Sequence, residues 1–171
     1  MIVVSDSSPL ICLAKIGEFD ILRRFFNRLY IPAGVYDEVV VRGRGRAGEK
    51  EVVDSTWIRL REIKDKGLSE EIRRYYNIGR GEAEAIVLGK ELSADLLLMD
   101  ERRARLVAEV YGLDRIGTVG VLELGFERDL VTDLRETYVR LRAKGARIDE
   151  GLLNESLMRH GLRPLHPDIM R

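Results

Sequence analysis

Short unbroken apolar runs alternate along this chain with longer stretches in which apolar side chains recur every three or four residues. Ile2-Val3-Val4-Ser5 is the first such run and predicts a buried strand over 2–5. Ser8 with Pro9 behind it predicts a helix start, with Leu10, Leu13 and Ala14 along the helix and a stop near Gly17. A second helix is expected over 18–27, with Phe19, Leu22, Phe25 and Phe26 on its apolar side. Leu29 to Ile31 reads as a short strand, and Pro32 opens a helix over 33–41 that bears Val35, Glu38 and Val39.

The segment from Arg42 to Lys50 reads as a loop, because its three glycines disfavour both helix and strand. Partial alternation over 57–63 predicts a strand, and a polar helix follows over 69–76. Gly79-Arg80-Gly81 reads as a turn before an alanine-rich buried helix over 82–92. Leu96-Leu97-Leu98-Met99 is the second clear buried strand, followed by an exposed helix over 101–111 that Gly112 ends. A short strand over 115–118 and a helix over 119–126 complete this part. Strands alternating with helices argue for a parallel sheet.

The rest of the chain is different in kind. Two amphipathic helices are expected, over 130–143 and 151–159, joined across Lys144-Gly145-Ala146. Leu134, Tyr138 and Leu141 form one apolar stripe; Leu152, Leu153 and Leu157 form the other. The expected division is an α/β domain over 1–126 and a helical extension over 127–171, packed on that domain or at an interface.

Composition narrows the function classes. At 171 residues the chain is long enough for a real core. No stretch is apolar enough to span a membrane and the N-terminus lacks a secretory pattern, so a cytoplasmic location is expected. Cys12 is the only cysteine, set in an apolar run, and is expected to be a buried structural thiol. Acids and bases balance at 29 each, so a nucleic-acid site would have to come from local patches. His160 and His166 have no partners at zinc-like spacing, and no zinc site is assigned.

The chemistry concentrates at strand ends. Asp6 follows the first strand and Asp100 follows the Leu96 run. In open parallel α/β sheets, ligands bind beyond the carboxyl ends of the strands. Two further acids sit at helical positions, Glu38 and Glu82. Glu82 and Glu84 lie about 200° apart around a helix, so only one of them faces a given site. Carboxylates that converge without a cation repel one another. An all-oxygen set suits Mg²⁺ or Mn²⁺, ions able to activate water and stabilise charge on a phosphoryl oxygen.

These residues resemble the PIN-domain nucleases. The resemblance rests on Asp6-Ser7-Ser8-Pro9-Leu10-Ile11, on Ile31-Pro32 with Glu38, on Gly81-Glu82-Ala83-Glu84-Ala85-Ile86, on Met99-Asp100-Glu101-Arg102-Arg103-Ala104-Arg105 and on Gly117-Thr118-Val119-Gly120-Val121-Leu122. Their order and spacing are similar to those of the VapC-like toxin branch. The helical tail is similar to that of a subgroup common in archaea. The resemblance covers 2–124. It implies a Rossmann-like three-layer fold with a central parallel sheet, and an Mg²⁺- or Mn²⁺-dependent endoribonuclease acting as the toxin of a toxin–antitoxin pair. It places the four family acids on Asp6, Glu38, Glu82 and Asp100. Asp6 and Asp100 hold the metal most directly; Glu38 and Glu82 complete the cluster or orient water. Many relatives carry aspartate where Glu82 stands. Ser7 and Thr118 are supporting polar residues in this scheme, and Glu84 and Glu101 are surface acids.

For substrate contact, the loop bearing Arg42, Arg44, Arg46 and Lys50 is the leading phosphate-binding patch, since arginine forks suit phosphates. Arg102, Arg103 and Arg105 are a second one. Expected partners are an RNA substrate, a small antitoxin that blocks the acidic site, and a second copy of the chain. The rival reading is a catalytically weak RNA-binding or regulatory module on the same fold. A small-ester phosphohydrolase of the haloacid-dehalogenase type is disfavoured by serine at position 8, and no P-loop motif is present.

Overall fold

The computed structural model describes residues 1–165; His166 lies outside the described residues. In chain order the elements are β1 (Val3–Ser5), α1 (Ser7–Lys15), α2 (Asp20–Phe25), β2 (Leu29–Ile31) and α3 (Ala33–Tyr36). A π-helical turn, Asp37–Val41, extends α3. Then come α4 (Glu49–Asp54), β3 (Ile58–Leu60), α5 (Lys66–Tyr76), α6 (Arg80–Glu91), β4 (Leu96–Leu98), α7 (Arg102–Val110), β5 (Arg115–Ile116) and α8 (Thr118–Glu127). The helices α9 (Leu134–Ala143) and α10 (Glu150–Arg159) close the described chain. No helix among the described residues is long and apolar enough to cross a membrane.

The five strands form one parallel sheet in the order β3-β2-β1-β4-β5. The chain leaves β1 toward β2 and later returns on its other side to lay down β4, so β1 and β4 flank the switch point. Both are short and apolar because both faces of the sheet are covered. Val3, Val4, Leu97 and Leu98 are fully buried. One face carries a core of Val4, Leu97 and Met99 against Ala83, Ile86 and Val87 of α6 and Ala104, Val107 and Ala108 of α7. Burying side chains of this size contributes about 1.5–3 kcal/mol each.

The molecule divides into two compact units, Met1–Thr118 and Val119 onward. In the second, Tyr138 of α9 is fully buried and its hydroxyl lies 2.6 Å from Ser156 Oγ of α10. A buried phenol without such a partner would be costly. Leu134, Leu141, Leu153 and Leu157 are buried as the stripes predict, but Leu152 is 43% exposed.

Several boundaries differ from the sequence expectation, each for a local reason. Helix α1 begins at Ser7, with Asp6 in the cap position, so Ser8 is not the cap and Pro9 is its third residue. The stretch read as a loop over 42–50 already contains the start of α4; Glu51 bonds the Gly48 N–H at 2.9 Å and closes that helix end. Arg80 and Gly81 belong to α6 and not to a turn, because Glu82 accepts from the Gly79 N–H at 2.7 Å. Helix α9 starts at Leu134, four residues late, because Asp133 caps it through the Glu136 N–H.

Candidate active site

Asp6 stands one residue beyond β1. Its backbone N–H donates to the Leu98 carbonyl at 2.9 Å, which stitches the ends of β1 and β4 together. Its side chain makes no cap bond to α1 and is only 1% exposed. The carboxyl is pushed up to about 8, chiefly by burial. A bond from the Ser7 backbone N–H opposes that shift, and the nearby charges of Glu82, Glu38 and Asp100 add to it. Three acids from other elements thus act on a carboxyl that burial has already raised.

Glu38 arrives from the π-helical turn. Ser7 Oγ donates to its Oε2 at 2.6 Å and lies 3.5 Å from Asp6 Oδ1, so one hydroxyl links two of the predicted acids. The neighbouring Asp37 turns away and pairs with Arg42 at 3.0 Å. Gly81 is the wall on the far side. A Cβ there would lie 3.0 Å from Glu38 Oε2 and 3.5 Å from Asp6 Oδ1. The absent side chain leaves open the space that these two carboxylates share.

Asp100 lies just past β4. Its Oδ1 accepts from the Thr118 N–H and its Oδ2 from the Thr118 hydroxyl, both at 2.6 Å. Thr118 is fully buried at the N-terminus of α8. Burial raises the Asp100 carboxyl above its ordinary range, and the Thr118 bonds and Arg105 oppose that rise. Asp100 is not needed as a helix cap, because Glu101 caps α7 by accepting from the Ala104 N–H at 2.7 Å. Glu82, at the start of α6, is half-buried; burial raises its carboxyl too, with Glu101 and Glu38 adding to the rise.

The four predicted acids thus influence one another, and each also has its own protein donor: the Ser7 backbone N–H for Asp6, the Ser7 hydroxyl for Glu38, Gly79 for Glu82, Thr118 for Asp100. Among the described residues, no group of three or more His, Cys, Asp or Glu side chains forms a ready-made cation cage. The chemistry of the set still fits a hard divalent ion. It consists of oxygen donors, at least one is deeply buried, and the carboxyls of Asp6, Glu82 and Asp100 are raised above their ordinary values, chiefly by burial.

Two residues were read differently from the sequence. Glu84, expected at the surface, is only 7% exposed; it accepts from the Gly34 N–H at 2.6 Å and pairs with Arg80 at 2.7 Å, tying α6 to α3. A Cβ at Gly34 would meet its Oε2 at 2.9 Å, so glycine there permits the close approach. Cys12, expected to be buried, is half-buried; burial first, then the charge of Asp100, pushes its thiol up to about 11. Such a thiol is protonated and unreactive near neutrality.

The basic candidates are spread out. Arg44 and Arg46 are exposed on the tight loop before α4, while Arg42 is held by Asp37. Arg102 is exposed; Arg103 donates to the Asn77 carbonyl at 3.2 Å. Arg105 was grouped with them, yet it is half-buried and donates to the Met99 carbonyl at 2.9 Å, beside Asp100. His160 bonds Ser156 and Glu127 within the second unit.

A parallel doubly wound sheet with an acidic cluster at its switch point defines the class: an α/β domain of Rossmann-like build. A family model described as PIN domain matches residues 2–162. The chain belongs to the PIN-domain family, whose members are generally nucleases. A PilT N-terminus domain protein from the hyperthermophilic archaeon Sulfolobus solfataricus P2 has a similar fold: TM-score 0.53, 21% identity, covering 74% of this chain and 95% of that one. No curated protein matches the sequence.

Proposed function

We propose that this protein is a metal-dependent endoribonuclease that hydrolyses RNA phosphodiesters in the cytoplasm, as the toxin of a toxin–antitoxin pair. The observation that carries the nuclease reading is the burial of Asp6 among Glu38, Glu82 and Asp100 at the switch point, with its carboxyl raised to about 8. Carboxylates held in that state gain from a divalent cation. Asp6 and Asp100 would hold Mg²⁺ or Mn²⁺, with Glu38 and Glu82 completing the set. When bound, such an ion supplies Lewis acidity toward water and toward a phosphoryl oxygen.

The chain's own residues do the positioning. Thr118 fixes both oxygens of Asp100 and so sets its direction. Ser7 couples Asp6 to Glu38. Gly81 keeps the space between them clear. Arg44, Arg46 and Arg102, exposed and unpaired among the described residues, would neutralise substrate phosphates. A small antitoxin would silence the enzyme by covering the acids, and a homodimer is the proposed assembly.

The test is cleavage of varied single-stranded and structured RNAs with and without Mn²⁺. Wild-type protein should cut only with the ion, and Asp6→Asn should abolish the cut; metal-independent cleavage, or an active Asp6→Asn, would refute the reading. One observation favours a second reading, an RNA-binding or regulatory module. Every predicted acid already has a protein donor, and no cage stands ready among the described residues. RNA binding without any metal-dependent cut would select it.

A further inference from the structure

We infer that the β2–β3 edge of the sheet is a second surface for the RNA backbone, away from the acids; this rests on the reading that the substrate is RNA. Two shallow hollows adjoin there, of about 310 Å³ and about 330 Å³, and share Arg28 and Tyr30. Arg59, Leu60 and Arg61 complete one; Met1, Phe25 and Phe26 are among the residues of the other. No acidic residue lines either hollow.

The strand register explains the cluster. Tyr30 pairs with Arg59 in the parallel ladder, and side chains two residues apart share a face, which brings Arg28 and Arg61 to the same side. All three arginines are exposed, and none has an acidic partner among the described residues. Elsewhere on this chain Arg42, Arg74, Arg80, Arg115 and Arg159 are paired with carboxylates. In a chain of zero formal net charge, three adjacent guanidinium groups without an acidic partner form a local positive patch that attracts an anion. Half-buried Tyr30 and Phe25 add ring surface beside the charges, which suits bases as well as phosphates. A second copy docked edge to edge would oppose the same arginines to each other, and like charges directly opposite destabilise a strand pair.

The experiment is fluorescence anisotropy of a labelled single-stranded RNA in EDTA over a salt series, so that cleavage plays no part. The variant is Arg28→Ala/Arg59→Ala/Arg61→Ala, with its fold checked by circular dichroism. Its affinity should fall at least about tenfold, and the slope of log affinity against log salt should shrink by about 2, as expected for three lost single-strand phosphate contacts. The triple lysine variant, which keeps the charge, should retain the wild-type slope, so a misfolded alanine variant does not end the test. An unchanged slope in a folded alanine variant, or no RNA binding by wild type, overturns the inference. Polyglutamate bound as tightly as RNA, with the same arginine dependence, also overturns it and reassigns the edge to an acidic protein. Loss of the cleavage reading with the slope change intact would leave this surface standing.

Discussion

Asp6 offers a direct test of the electrostatics at the switch point, because its burial makes a signed prediction. In the metal-free protein its carboxyl titrates at about 8, against an ordinary value of 3.8. Between those values the folded state holds a proton that the unfolded state has lost. A group bound more tightly to protons in the folded state contributes stability at low pH and loses it as pH rises. Each pH unit of that difference corresponds to about 1.4 kcal/mol, so the whole window from about pH 4 to about pH 8 is at most about 6 kcal/mol. Glu82 and Asp100 are shifted in the same direction, so wild type alone does not isolate Asp6. The difference from Asp6→Asn does, since asparagine resembles the protonated acid in shape and charge. Urea denaturation in EDTA should find the two proteins close in stability at about pH 4 and Asp6→Asn the more stable by several kcal/mol at about pH 8. A gap that is constant with pH, or one that favours wild type at the alkaline end, would refute the reasoning.

Three further outcomes test the parts around it. Gly81→Ala should leave stability within about 1 kcal/mol, because helix propensity offsets the 3.0 Å approach to Glu38, while calorimetric Mn²⁺ affinity falls about tenfold or more. Glu84→Ala should destabilise by about 2–3 kcal/mol in urea titration by stranding the Gly34 N–H; Glu84→Gln should recover most of the loss, because it keeps an acceptor for that N–H and Arg80 is itself half exposed to water. Thr118→Val should weaken Mn²⁺ binding by about tenfold through a misdirected Asp100, and Thr118→Ser should restore it.

The sheet and the acids were legible in the sequence for one shared reason. Strands buried on both faces must be continuous apolar runs, and an acid that ends such a run can only emerge at the sheet's carboxyl edge. That logic located β1, β2 and β4, and it singled out Asp6 and Asp100. It was silent where a side chain's role depends on a partner far along the chain. Glu84 looked like any polar helix position, because its acceptor role is defined by the Gly34 N–H, fifty residues away. Whether Asp37 or Glu38 faces the other acids was likewise undecidable from spacing, since the π-helical turn changes the angle between successive residues. Loops fared worst: the glycines over 43–48 hid a helix start whose cap is the Gly48 N–H itself.

The donors around the acids give these misreadings a common physical meaning. Ser7, Gly79 and Thr118 each offer an N–H or O–H to one of the predicted acids. Such bonds lower the cost of ionised acids. Glu38 and Glu82 each accept through Oε2, whereas Asp100 accepts through both oxygens from one residue, which sets its direction. Asp100 is therefore the most firmly directed of the four acids. Glu82 closes the start of α6 through the same side chain whose charge raises the Asp6 carboxyl, so one residue serves both the helix end and the acidic set.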